Sequence, residues 1–345
     1  MKKNLLLFVI VLSVSFAAME MLLHTNYFLH DSRIGVYQLT HEIGETSLFQ
    51  LTGDLDLPYV ARPNVSLKTW WGETISTNEH GFRGDLLTDD KNLNVLVVGD
   101  SVAWGLGVKQ NETFSDYLRE MARGSYPNIK IGNAGAPGYN TRHELTLLRQ
   151  LLSGSGRSYR YKPDLVIFQY NSNDYITIDR GVQEGNVYNF YVRKSTNTFG
   201  APSWLYQYLL EHSELFFRSN DLLQAYFQGS SALRGYPDWY QYNYQKLKEV
   251  KQLADEYGFE CLFLIYGHSG QPGDYDKIST FKGIFKHSID LRKELLEAKD
   301  QPIWFDAIHT NTAGHQLIAK RIYEYLIQHD LLKAAQLPPS AMSRE

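Results

Sequence analysis

Asn94-Val95-Leu96-Val97-Val98-Gly99-Asp100-Ser101-Val102 begins with a run that is apolar at four of its first five positions and β-branched at three. A run that short, apolar on both faces and closed by glycine, reads as a strand buried within a parallel sheet. The pattern repeats outward from it. Glu112 to Ala122 has helical spacing of Phe114, Tyr117, Leu118 and Met121. Asn128 to Ile131 reads as a second strand, Thr141 to Leu152 as a helix, and Asp164 to Tyr170 as a third strand. Tyr242 to Tyr257 is expected to be helical and Glu260 to Tyr266 a fourth strand. Phe281 to Ala298 reads as a helix, Pro302 to Phe305 as a short last strand, and Asn311 to Gln328 as a closing helix. Strands alternating with helices require crossover connections, hence an α/β fold with a parallel sheet covered on both faces.

The flanks divide the chain. Residues 24–91 are broken by Pro58, Pro63, Gly72, Gly81 and Gly84, with short strand-like pieces such as Ser66 to Trp71, and read as a leader packing on the main domain. The main domain spans 92–330. It is interrupted at 175–239 by an aromatic-rich insertion expected to form helices, for instance Trp204 to His212 and Glu214 to Tyr226. Residues 331–345 are a tail. At the other end, Lys2 and Lys3 precede an apolar stretch from Leu5 to Leu23, the pattern of an export signal. The stretch is close to the ~20 residues that a bilayer span needs. Residues 1–23 are therefore read as an uncleaved anchor in the inner membrane, with the remainder of the chain outside the cytoplasm. Cleavage after Ser15-Phe16-Ala17, giving a secreted or periplasmic protein, is the alternative.

The 345 residues carry a net charge of −4, so no basic excess exists to neutralise phosphates, and nucleic acid is not an expected partner. Cys261 is the single cysteine, which excludes an intrachain disulfide and a cysteine metal cluster. No His/Asp/Glu grouping has metal-ligand spacing, and neither a metal nor a cofactor is expected.

Ligands of such sheets bind at the carboxyl ends of the strands. After the first strand, Ser101 stands where a hydroxyl can face the mouth of the sheet and its own N–H can aim at a developing oxyanion. A capping turn is the plainer reading of Gly99-Asp100-Ser101 taken alone. After the second strand, Gly135, Pro137 and Gly138 force an unusual path, and Gly138 can present its N–H without a Cβ in the way. After the third, Asn171-Ser172-Asn173-Asp174 offers an amide donor or simply a turn. After the last, Asp306 precedes His309 by three residues, so a carboxylate can orient an imidazole that acts as base. The plainer alternative is a helix start capped by Thr310 or Asn311.

Together these blocks resemble the SGNH/GDSL hydrolases: Gly-Asp-Ser, Asn-Ala-Gly-x-x-Gly, Asn-Asp, and Asp-x-x-His-x-Asn-x-x-Gly-His, from Asn92 to Gln328 apart from the insertion. The resemblance implies a flavodoxin-like three-layer α/β/α sandwich with a five-stranded parallel sheet. It implies Ser101 as nucleophile, His309 as base and Asp306 as its orienter. The oxyanion hole would be the N–H groups of Ser101 and Gly138 and the Asn173 side chain. Two positions depart from the pattern. Val102 replaces the usual Leu, and Asn171 stands where the family has Gly, which could tilt Asn173 or narrow the site. His315 fits the last block as structural support, and His268 is read as a loop residue.

Aromatic residues make up 14% of the chain, many of them in the insertion, where they suit its own core and, where exposed, sugar rings or acyl chains. The anchored N-terminus and the leader Thr77-Asn78-Glu79-His80-Gly81-Phe82-Arg83-Gly84 resemble those of polysaccharide-modifying members. The expected function is a serine esterase removing O-acetyl or other short acyl groups from envelope or extracellular glycans. The alternatives are an O-acyltransferase with the same triad, a lipase or thioesterase, and a non-catalytic polysaccharide-binding module. The joint presence of Ser101, Asp306 and His309 argues against the last.

Overall fold

Phe49–Asp54 (β1) and Leu57–Ala61 (β2) form an antiparallel hairpin, and Ser66–Lys68 (β3) pairs with Thr74–Ser76 (β4) in a second one. Arg83–Gly84 (β5) ends this leader. Then follow Leu93–Val98 (β6), the four-residue helix Ser101–Trp104 (α1), Phe114–Arg123 (α2), Ile129–Asn133 (β7) and Thr141–Ser153 (α3). Leu165–Asn171 (β8), Trp239–Tyr257 (α4), Glu260–Tyr266 (β9) and Tyr275–Thr280 (α5) come next. His287–Asp290 (β10), Arg292–Glu297 (α6) and Thr312–Gln328 (α7) complete the order. The computed structural model describes residues 48–54, 56–69, 72–87, 92–155, 159–171, 174, 239–267, 275–298, 302–306 and 308–332, with 13–18, 21, 205, 209, 213, 215 and 216 besides.

The sheet runs β10-β9-β8-β6-β7-β5. Five of these strands are mutually parallel, and the two-residue β5 adds antiparallel to β7 at one edge. Numbered by their sequence order, the parallel five read 2-1-3-4-5, the flavodoxin-like order. That order reverses beside β6, so the loop after β6 lies at the switch point where such sheets bind ligands.

Every residue of β6 and β8 is buried. Leu93, Val95 and Val97 share one cluster with Phe114 and Leu118 of α2, Leu295 of α6, and Ile318 and Ile322 of α7. The intervening residues Leu96 and Val98 face the other side, because strand side chains alternate. There α3 packs against α4, and α4 against β9. Three layers result. Each fully buried aliphatic side chain contributes about 1.5–3 kcal/mol, which is why the two central strands are mainly aliphatic and aromatic, with Asn94, Gln169 and Asn171 as their buried polar exceptions.

Two expected elements differ. Phe281 to Ala298 is not one helix. It forms a short 3₁₀ turn (Phe281–Ile284), the strand β10 and then α6. Helix propensity differs by only some tenths of a kcal/mol per residue, whereas β9 without β10 would leave a row of unpaired backbone groups. The edge is therefore filled by the nearest following segment. Pro302 to Phe305, expected to be the last strand, is instead a turn closed by a single bridge between Trp304 and Thr310. The sheet thus has the five parallel strands expected, but the fifth is a different segment.

The chain divides into two compact units, Met1–Gly44 with Ile178–Arg234, and Glu45–Thr177 with Gly235–Glu345. The sheet and the site below belong to the second. Most of residues 1–23, and nearly all of the insertion with its two expected helices, lie outside the described residues. Among the described residues no helix is long and apolar enough to cross a membrane.

Candidate active site

Ser101 is the first residue of α1, directly after the Gly99-Asp100 turn that ends β6. Asp100 caps this helix by accepting the Val102 N–H at 2.8 Å. The capping role open to the serine in sequence falls to its neighbour, and the Ser101 hydroxyl is left for other work. Its Oγ lies 2.8 Å from Nε2 of His309. Nδ1 of His309 lies 2.7 Å from Oδ2 of Asp306.

The Asp306–His309 turn is heavily tied. Oδ1 of Asp306 accepts the N–H groups of Ile308 and His309, each at 2.7 Å. The Phe305 N–H donates to the His309 carbonyl at 2.8 Å, and the buried Tyr266, at the end of β9, donates its hydroxyl to the Ile308 carbonyl at 2.6 Å. Burial raises the Asp306 pKa, but the bond from His309, its charge and two backbone donors outweigh this and hold the carboxyl below its ordinary range. Asp306 is therefore ionised at neutral pH and only accepts. The proton between the two side chains then sits on Nδ1, which leaves Nε2 as the ring nitrogen facing the serine hydroxyl. This is the geometry of a general base. His309 does not follow a strand, as the sequence suggested. It sits on the bridged turn instead, with Asn311 capping α7 through the N–H groups of Ala313 and Gly314.

Gly138 lies at φ +79° and is the one residue of 131–141 that is half-buried rather than buried. Its N–H and that of Ser101 have no acceptor among the described residues. Gly135 serves differently: a Cβ there would meet the Trp104 nitrogen at 2.6 Å, so only glycine allows this loop to lie against α1. Asn173 and His268 lie outside the described residues. His315 is buried, accepts the Phe114 N–H on Nδ1 at 3.0 Å, and is pulled by burial to a pKa of about 3. It links α7 to α2, the supporting place expected of it.

A family model described as GDSL-like lipase/acylhydrolase matches residues 97–317, well over half of the chain. The chain belongs to this family. It is a carboxylic ester hydrolase. No curated protein matches it significantly. Among solved structures it is similar to a psychrotrophic esterase from Pseudoalteromonas sp., with 15% identity, TM-score 0.42, and 69% of this chain and 98% of that one covered. It is also similar to a catalytic mutant of an acetylxylan esterase from Geobacillus stearothermophilus, with 13% identity, TM-score 0.42, and coverage of 70% and 96%.

Several residues that hold this GDSL-family site were not singled out as functional in sequence. Asn133 donates to the Ala103 carbonyl at 2.5 Å and to Ser115 at 3.1 Å, and accepts the Gly135 N–H at 3.0 Å. One side chain thus ties the Gly135 loop to α1. Asn171, the departure from the family glycine, is the buried last residue of β8. It donates to Oδ2 of Asp100 at 3.1 Å, and so braces the turn beneath Ser101. Arg83 is buried and donates to the carbonyls of Trp104 at 2.7 Å, Gly105 at 3.1 Å and Lys109 at 2.8 Å. The stretch around it, Asn78 to Asp85, is mostly polar residues and glycine, so no local signal marked Arg83 for burial.

Behind Ser101 lie three buried carboxyls: Asp100, Asp174 and Glu144. Neither oxygen of Glu144 has a hydrogen-bond partner among the described residues. Burial raises its pKa well above the ordinary 4.5, and the neighbouring Asp174 and Asp100 raise it further. The unfolded chain releases this proton above pH ~4.5 while the folded chain keeps it, so stability falls as pH rises from there to the folded pKa. Glu144→Gln is expected to flatten that fall by up to about 1.4 kcal/mol per pH unit. Urea unfolding of both proteins at pH 5 and pH 8 checks this, and an equal pH dependence would contradict it.

Proposed function

We propose that this esterase removes short acyl groups, O-acetyl above all, from envelope or extracellular glycans through an acyl-enzyme on Ser101. The Ser101–His309–Asp306 relay, with two unengaged N–H groups nearby, is the observation that carries the reading. His309 takes the Ser101 proton as Oγ attacks the acyl carbon. The tetrahedral oxyanion is held by the N–H groups of Ser101 and Gly138, joined by Asn173 as the family resemblance implies. The C–O bond to the sugar then breaks, and the alcohol leaves with the proton from His309. Water, giving a proton to His309, then attacks the acyl carbon, the bond to Ser101 Oγ breaks, the acid leaves, and His309 returns the proton to Oγ. Phe305 supports a sugar-bearing alcohol. It precedes Asp306, keeps 37% of its surface exposed and can stack on a pyranose. Residues 1–23, apolar from Leu5 to Leu23, fit a tether that holds the enzyme outside the inner membrane.

Acetylated xylan and p-nitrophenyl esters of increasing chain length, given to the full chain in membranes, test the reading. Acetate release that exceeds release of longer acids is expected. Preference for long chains would favour a lipase, and acetyl appearing on an added sugar acceptor a transferase. Inertness toward every ester, and toward a fluorophosphonate, would sink the proposal.

A further inference from the structure

Ala136-Pro137-Gly138-Tyr139 is a tight turn, with the Tyr139 N–H donating to the Ala136 carbonyl at 3.2 Å. Proline at its second position and glycine at its third, with φ +79°, are the marks of a type II turn. Types I and II differ by a flip of the central peptide, here Pro137–Gly138, and both residues tolerate either form. The flip matters because the N–H of that peptide is the Gly138 N–H. In one form it points to one side of the turn, in the other form to the opposite side.

Three other bonds of the loop do not choose between the two forms. Those from Ala136 N–H to the Gly99 carbonyl and from Gly135 N–H to Asn133 lie before the flipping unit. The Tyr139 to Ala136 bond spans it and exists in both turn types. The bond that does choose comes from the leader: the Tyr59 hydroxyl donates to the Pro137 carbonyl. Tyr59, on β2, is itself held firmly. Its side chain is 3% exposed, its ring packs between Phe49 and Tyr139 at 5.8 and 5.3 Å, and its carbonyl accepts the Tyr139 hydroxyl.

We propose that the Tyr59 hydroxyl locks the Pro137–Gly138 peptide in the orientation that offers the Gly138 N–H to the reacting carbonyl, making Tyr59 a positioning residue for the oxyanion hole. This rests on the reading of Gly138 as an oxyanion donor. Tyr59 lies outside residues 97–317, so this support comes from the leader and not from the part matched to the family.

Tyr59→Phe keeps the ring and removes only the hydroxyl. Losing an oxyanion donor outright costs about 10²–10³ in rate, and losing its orienting partner should cost less, about 10- to 50-fold in kcat on p-nitrophenyl acetate with KM nearly unchanged. Affinity for a boronic acid, which forms a tetrahedral adduct on the serine, should weaken by a similar factor. Tyr139→Phe removes an equally buried hydroxyl of the same contact while leaving the Pro137 carbonyl bonded, and should lose much less kcat. Equal kcat losses from the two variants, or wild-type kcat in Tyr59→Phe while Ser101→Ala is dead, would overturn the lock. Activity surviving in Ser101→Ala would instead remove the underlying reading of the site.

Discussion

Ser101→Ala should lower kcat on p-nitrophenyl acetate by at least about 10⁴-fold, and adding His309→Ala to it should lower kcat hardly further. The serine hydroxyl and the imidazole nitrogen, 2.8 Å apart, would act as a unit. Without the hydroxyl there is no acyl-enzyme, and the base has no proton to take. Without the base, the hydroxyl remains a weak nucleophile at neutral pH. Whatever rate survives would come from binding and from the N–H donors, which neither substitution removes. The change should be confined to chemistry. Ser101 is 7% exposed and its hydroxyl closes no other bond of the fold, so the melting temperature should barely move. Steady-state kinetics of the two single variants and the double variant provide the check. Multiplicative losses would mean that the two residues act independently, contrary to the relay.

Arg83→Met should cost about 3–5 kcal/mol of stability, the range for removing one partner of a buried charged network. The guanidinium comes from β5 in the leader, is 1% exposed, and donates to three backbone carbonyls at and beyond the end of α1, the helix that begins with Ser101. Burial pulls its pKa down to about 10, with Asp116 opposing the shift, so it is still charged at neutral pH. Methionine fills much of the volume but leaves the Trp104 carbonyl without its donor, and leaves those of Gly105 and Lys109 with only the backbone N–H groups of Val108 and Glu112. Each orphaned buried carbonyl costs about 1–3 kcal/mol, less where water enters. Trp104 and Gly105 end α1, so the loss should loosen the helix that carries Ser101 and lower kcat as well. Lysine should rescue only part, because a single ammonium cannot fork across carbonyls as a guanidinium does. Denaturant unfolding of the three proteins measures this. A loss below 1 kcal/mol for Arg83→Met would show that the carbonyls find other donors.

Much of this protein was legible in its sequence because the signals are local. The runs at 94–98, 165–170 and 260–266 are apolar on both faces, and such runs are stable only inside a covered sheet. The loops after them carry glycine, proline, asparagine and serine whose backbone and side-chain chemistry can be read residue by residue. Asp306 and His309 are three positions apart, so their pairing is a property of a single turn. Other features needed the tertiary structure, because their partners are distant in the chain. The segment at 287–290 became the fifth parallel strand because β9 needed a partner, a demand absent from its own residues. Asn171 acquired its role from Asp100, 71 positions earlier, where a buried carboxyl needed a donor. The leader read as mere covering, yet Arg83 and Tyr59 reach the carbonyls after Ser101 and beside Gly138. A hydrogen bond in the interior is decided by which groups burial strands together, and burial is settled only when the whole chain has packed.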